Sequence, residues 1–113
     1  MKMRVRGNSI RLRLTRSEVE RFRETGLVEE IIEFGNGQKL VYALESAANS
    51  EIVSAEFDSN GITVFVPRKD AKQWVNSNQV GIEAGQNIGN GKILRLLIEK
   101  DFACLEPRKG EED

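Results

Sequence analysis

The chain has 113 residues, 39% apolar and 31% charged, a balance that fits one folded domain around one core and excludes a disordered chain. Lys and Arg number 17 against 18 Asp and Glu, so the net charge is −1 and the domain as a whole has no strong pull on nucleic acid or membrane. Histidine is absent and cysteine occurs once, which removes Ser/His and Cys/His nucleophiles, most zinc sites and any internal disulfide.

The first residues, Met1-Lys2-Met3-Arg4-Val5-Arg6, lack the apolar run of a signal peptide, and no window reaches the roughly 20 apolar residues of a membrane span. With a lone Cys104, the expectation is a cytoplasmic domain without membrane contact.

Met3 and Val5, then Ile10, Leu12 and Leu14, alternate with Lys2, Arg4 and Arg6, then Arg11 and Arg13, the period-2 pattern of two half-buried strands. A turn at Gly7-Asn8 pairs Val5 with Ile10 and Met3 with Leu12; a bulged single strand is the alternative. Thr15 with Glu18 forms a capping box that opens a helix from Arg16 to Glu24. Val19 and Phe22 share its buried face, and Gly26 supplies its left-handed stop.

Strands follow over 27–34, 39–45, 51–58 and 62–66, rich in β-branched and aromatic residues. Asn36-Gly37, Asn60-Gly61 and Asn90-Gly91 supply the positive φ angles of tight hairpins, which argues for antiparallel neighbours rather than parallel crossovers, and for turns rather than a solenoid repeat. Pro67 opens a second helix with Ala71, Trp74 and Val75 on one face; Trp74 reads as its core anchor. Strands resume over 80–84 and 93–98, the second apolar on both faces as in a central or enclosed strand, with 102–105 as an extension after a kink.

Together these elements predict an α+β fold, mainly antiparallel: a strongly curled sheet or small barrel of about eight short strands with two short helices, an open sheet packed by both helices being the alternative. The single domain spans 1–107, and the polar residues 108–113 read as a frayed acidic tail.

Residues 1–25 hold eight Lys or Arg against three Glu. In the proposed hairpin Arg4 faces Arg11, and like charges directly opposed require neutralisation. Either a bound phosphate or carboxylate is gripped by Arg4, Arg6, Arg11 and Arg13, or these form a ladder with Glu29, Glu30, Glu33, Glu56 and Asp58 of neighbouring strands. No aromatic residue interleaves with the arginines, which argues against a base-stacking nucleic-acid platform.

Gly85, Gly89 and Gly91 lack the Gly-Lys-Ser/Thr of a phosphate loop, and Gly35 with Gly37 lacks the third glycine of a dinucleotide fingerprint, so both sets read as hairpin glycines. Glu99-Lys100-Asp101 near Cys104 and Glu106 is where several reactive types cluster, with surface ion pairing and a buried Cys104 as the simpler reading. No set of residues has the spacing of a catalytic, cofactor or metal motif.

Gly7-Asn8-Ser9-Ile10-Arg11-Leu12-Arg13-Leu14-Thr15, with Val66-Pro67, Trp74-Val75-Asn76, Val80-Gly81-Ile82-Glu83 and the run from Ile98 to Leu105, is similar to a family of short, uncharacterised bacterial proteins, a domain of unknown function. The resemblance spans nearly the whole chain and implies a bacterial cytoplasmic protein; it carries no activity, substrate or catalytic residue. The expected function is therefore a binding or interaction domain whose basic N-terminal strand face receives an anionic small molecule or an acidic protein segment. The alternatives are a metal-assisted hydrolase or transferase acting on a phosphorylated compound, using Glu99 or Asp101, and a homodimer formed through an exposed strand edge.

Overall fold

Alternating polarity builds the first hairpin as the sequence predicts. In the computed structural model, which describes residues 1–102, it consists of β1 (Lys2–Val5) and β2 (Ser9–Leu14), with Met3 opposite Leu12 and Val5 opposite Ile10. Helix α1 (Arg16–Thr25) starts at the Thr15/Glu18 capping box: the Glu18 carboxylate accepts from the Thr15 N–H at 2.9 Å. It stops where Gly26 turns left-handed at φ 76° and donates its N–H to the Phe22 carbonyl at 2.8 Å.

Then follow β3 (Leu27–Gly35), β4 (Gln38–Ala47), β5 (Ser54–Asp58), β6 (Gly61–Pro67), α2 (Arg68–Val75), β7 (Gly81–Gly89) and β8 (Lys92–Lys100). Pro67 is the residue before α2 rather than its first turn. Strand β7 runs past the expected stop at Ala84 because the ladder to β8 continues through Gly85 opposite Arg95. Residues 103–113 lie outside the described part, and with them the expected burial of Cys104, all of the 102–105 extension but Phe102, and the tail.

The expectation of one mainly antiparallel, curled or closed sheet is corrected. Among the described residues there are two four-stranded mixed sheets, ordered β1-β2-β8-β7 and β3-β4-β6-β5, neither closed. Every hairpin is antiparallel inside, as its turn demands, but in each sheet two hairpins join through their second strands. Both second strands run from turn to base, so β2 pairs with β8, and β4 with β6, in parallel. Turn chemistry determines the pairing inside a hairpin and is silent about the pairing between hairpins. The edge strands β5 and β7 approach without a ladder: the Gln86 side-chain amide bridges them, accepting from the Ala55 N–H at 2.7 Å and donating to its carbonyl at 3.2 Å.

This topology is a duplication. One hairpin–helix–hairpin unit (β1, β2, α1, β3, β4) is followed by a second (β5, β6, α2, β7, β8), and each sheet takes one hairpin from each unit. Buried positions correspond one to one: Leu12 with Val64, Leu14 with Val66, Phe22 with Trp74, Val28 with Ile82, Leu44 with Ile98. Backbone bonds repeat as well. The Arg95 N–H donates to the Asn8 carbonyl at 3.0 Å, and its counterpart, the Val41 N–H, to the Asn60 carbonyl at 2.9 Å. The Asn36-Gly37 and Asn90-Gly91 turns, both with positive φ, occupy the same place in the two units.

Inner faces of both sheets and one side of each helix enclose a single core, with Trp74 fully buried. The equivalent rings of Phe22 and Trp74 meet there edge to face at 6.1 Å, where the two units face each other. No described helix is long and apolar enough to cross a membrane.

The parallel junction of β4 and β6 is tightest at Gly61, where an added Cβ would stand 1.8 Å from the Val41 carbonyl oxygen and φ is 145°. Gly61→Ala is expected to destabilise by on the order of 3 kcal/mol, because backbone must move. Gly7→Ala, with φ 56° but open space around it, should cost about 1 kcal/mol. Paired thermal melts check the order; equal losses would contradict the tight junction.

Candidate functional site

Strand register sorts the first sheet into two faces. Met3, Ile10, Leu12, Leu14, Leu94, Leu96, Ile98 and Ile82 turn inward, and each of their neighbours turns outward. On the outer face Lys2 lies beside Arg13 and Glu99, Arg4 beside Arg11, Leu97 and Glu83, and Ser9 beside Arg95 and Gly85.

The opposition of Arg4 and Arg11 is real, and its neutralisation comes from an unexpected quarter. Arg11 donates through Nε to Glu99 Oε1 at 2.7 Å, and Arg13 through Nη2 to Asp101 Oδ1 at 3.0 Å, with Lys2 Nζ 3.5 Å from Asp101. Among the described ion pairs, none joins these arginines to Glu29, Glu30, Glu33, Glu56 or Asp58, the expected ladder, because those residues belong to the other sheet. The parallel β2–β8 pairing brings Glu99 opposite Arg13 instead. Glu99 and Asp101, candidates for chemistry from sequence, are thus engaged as counter-ions.

Arg4, Arg6 and Arg95 have no ion-pair partner among the described residues. With Arg11, Ser9, Glu83 and Gly85 they line an open cavity of about 460 Å³. The Ser9 hydroxyl is held there by donating to the Arg6 carbonyl at 2.6 Å. Of the four arginines predicted from sequence, Arg4, Arg6 and Arg11 come together here, while Arg13 lines a second cavity of about 670 Å³ that Arg4 and Arg11 also border, with Met1, Glu18, Glu30 and Tyr42. Arg95 was missed. Its signal was a lone charge interrupting the apolar run 93–98.

The second cavity holds a buried charge cluster. The Met1 ammonium donates to Glu18 and, at 2.6 Å, to Glu30, while the Tyr42 hydroxyl donates to the Met1 carbonyl at 2.7 Å. Burial opposes ionisation of Glu18, but hydrogen bonds from the ammonium and the Thr15 N–H outweigh it and hold the carboxyl below its ordinary 4.5. Burial likewise opposes the Met1 charge, yet the two glutamates hold the ammonium above its ordinary 8.0. Burial, then the charges of Glu30 and Glu18, raises the Tyr42 hydroxyl.

Trp74 is the core anchor expected of it, its Nε1 donating to the Val80 carbonyl at 3.0 Å. Lys100, which the sequence suggested as a surface ion-pair member, instead donates to the Ser77 carbonyl at 2.8 Å and lies over the Trp74 ring; burial, then the nearby Arg23 charge, lowers its pKa. Gly89 and Gly91 flank a hairpin turn, as read.

Comparison with family descriptions matches the full length, residues 1–113, to a family of unknown function, DUF7009. The chain belongs to DUF7009. No curated protein and no solved structure matches it. For this DUF7009 chain, function must therefore be argued from its own surface.

The charge cluster makes a pH prediction. Glu18, its folded pKa lowered, contributes stability above the ordinary carboxylate range that is lost as pH falls through the folded value. Met1, its folded pKa raised, contributes stability below pH 8.0 that is lost as pH rises through the folded value. Glu18→Gln retains an acceptor for the Thr15 N–H but removes the charge, so both flanks of the stability profile should flatten. Glu18→Ala should cost about 1 kcal/mol more at every pH through loss of the cap. Denaturant titrations between pH 3 and 10 check this; an unchanged profile in Glu18→Gln would refute the pairing.

Proposed function

We propose that this protein is a binding domain whose outer β1-β2-β8-β7 face receives an anion, a phosphate- or carboxylate-bearing small molecule or an acidic protein segment. One observation carries this reading: Arg4, Arg6 and Arg95 surround one cavity without ion-pair partners among the described residues, beside an Arg11 already fixed by Glu99. Guanidinium groups present paired donors that match phosphate and carboxylate geometry, and a fixed Arg11 spares part of the ordering cost of binding. Glu83 at the rim limits the charge accepted and favours a ligand that also offers a hydrogen-bond donor.

The arginines divide into two roles under this reading. Arg4, Arg6 and Arg95 bind, whereas Arg11 and Arg13 chiefly neutralise Glu99 and Asp101.

Thermal unfolding with inorganic phosphate, polyphosphate and nucleotides provides the test. A selective ligand at a hundred times its dissociation constant stabilises by about 2.7 kcal/mol and raises the midpoint. Arg4→Ala and Arg95→Ala should abolish that rise with little change in the unliganded midpoint. Arg11→Ala should lower the unliganded midpoint as well, by leaving Glu99 without its partner. No rise with any compound would overturn the small-ligand form of the reading, and a rise that survives Arg4→Ala and Arg95→Ala would overturn the assignment of the site to this face.

A further inference from the structure

The duplication allows the two sheets to be compared position by position, and their outer faces carry opposite charge. Arg4 on β1 and Arg6 just after it correspond to Glu56 and Asp58 on β5, since Met3 and Ala55 take equivalent places opposite Leu12 and Val64. Arg11 and Arg13 on β2 correspond to the uncharged Thr63 and Phe65 on β6, and Arg95 on β8 to Val41 on β4. Glu29 on β3 keeps the sign of Glu83 on β7, Glu33 replaces Asn87, and Glu45 keeps that of Glu99 but forms no ion pair among the described residues, although Arg23 and Arg68 line a cavity with it. Lys39 on β4 is a basic residue on this face, opposite Glu33.

The outer face of the β3-β4-β6-β5 sheet thus carries acids along both edge strands, Glu29 and Glu33 on β3 and Glu56 with Asp58 on β5, and Glu45 near one end of β4. Between the edge strands lie the half-buried Val41 and Phe65 with the buried Ala43, and Ile31, on β3 itself, is 52% exposed. An apolar centre within a charged rim is the composition of an association surface rather than of a solvated sheet face. Neither helix covers it, since both pack into the shared core on the inner side. Because both sheets are built by the same unit, the two outer faces share a backbone shape and differ in sign, so each fits the other as stacked sheets do.

We infer that the acidic outer face of the β3-β4-β6-β5 sheet docks on the basic outer face of the β1-β2-β8-β7 sheet of a second copy of this chain. This deepens the anion-binding reading and rests on it, naming the acidic partner. The contact is heterologous: each copy offers one face of each kind, so association adds copies end to end instead of stopping at a symmetric pair. Attraction between exposed charges is screened over a Debye length of about 10 Å at 0.1 M salt and about 3 Å at 1 M, so association is strong in dilute buffer and fades with salt.

Sedimentation velocity of the full chain over a concentration series, in low and high salt, tests this. Expected are concentration-dependent species larger than a monomer at low salt and an apparent dissociation constant at least about tenfold weaker at high salt. Glu29→Lys with Glu56→Lys reverses one face, and Arg4→Glu with Arg95→Glu the other; none of the four residues has an ion-pair partner among the described residues. Each double variant should be monomeric under the same conditions, and an equal mixture of the two should associate again, because one restores the face the other lacks. Circular dichroism melts confirm that both variants are folded.

A monomer at all salt concentrations, or association that survives reversal of either face, overturns the inference. If polyphosphate raises the melting midpoint while the chain stays monomeric, the anion site stands and self-docking fails. If association requires both faces while no small anion shifts the midpoint, self-docking stands and the small-ligand form of the site fails.

Discussion

The parallel pairing of β2 with β8 is the contact on which the rest depends. An isolated two-stranded hairpin is marginal in water, and the first hairpin of this chain gains its second neighbour only when the last hairpin returns to it. That return places Leu12 against Ile98 and Ile10 against Leu96 on the inner face, completing the core wall. On the outer face it brings Glu99 opposite Arg13 and within reach of Arg11, and Arg95 beside Ser9. Core, counter-ions and cavity are consequences of one register. A slip by one residue would send the leucines outward and the arginines into the core.

Local elements were legible because their signals are local. Gly7-Asn8 determined the register of the first hairpin, Thr15 with Glu18 the start of α1, Gly26 its end, and the doubly apolar run 93–98 announced a strand with neighbours on both sides. What was not legible is how hairpins combine. Nothing in 9–14 or 92–100 states that they lie parallel, since parallel partners need no shared turn. The expected single curled or closed sheet failed for that reason. The same gap hid half the site: without the β2–β8 junction, Arg11 and Arg13 have no visible partners, and Arg95 is one charge in a greasy strand.

The duplication was hidden too, because side chains in the two units diverge wherever packing allows. Phe22 against Trp74 and Leu12 against Val64 retain only apolar character, while Arg4 against Glu56 retains only exposure. Most of what the two units share is punctuation: the Asn-Gly turns, the strand–helix junction after Leu14 and Val66, the glycine before each second turn. The backbone plan is held fixed by burial and turn geometry, and the surface has been left free to take different charges on its two sides.

The order in which the sheets can form follows from the distances along the chain between their partners. Val41 meets Gly61 across a short stretch of sequence, whereas Ser9 must find Arg95 across nearly the whole chain. Closing the larger loop costs more entropy and comes later in folding. The β3-β4-β6-β5 sheet is therefore the natural nucleus, and the β1-β2-β8-β7 sheet the last to be stitched together. The arginines around the basic cavity are gathered only at that final step, so partly folded chains display scattered charges, and the assembled basic face belongs to the finished molecule alone.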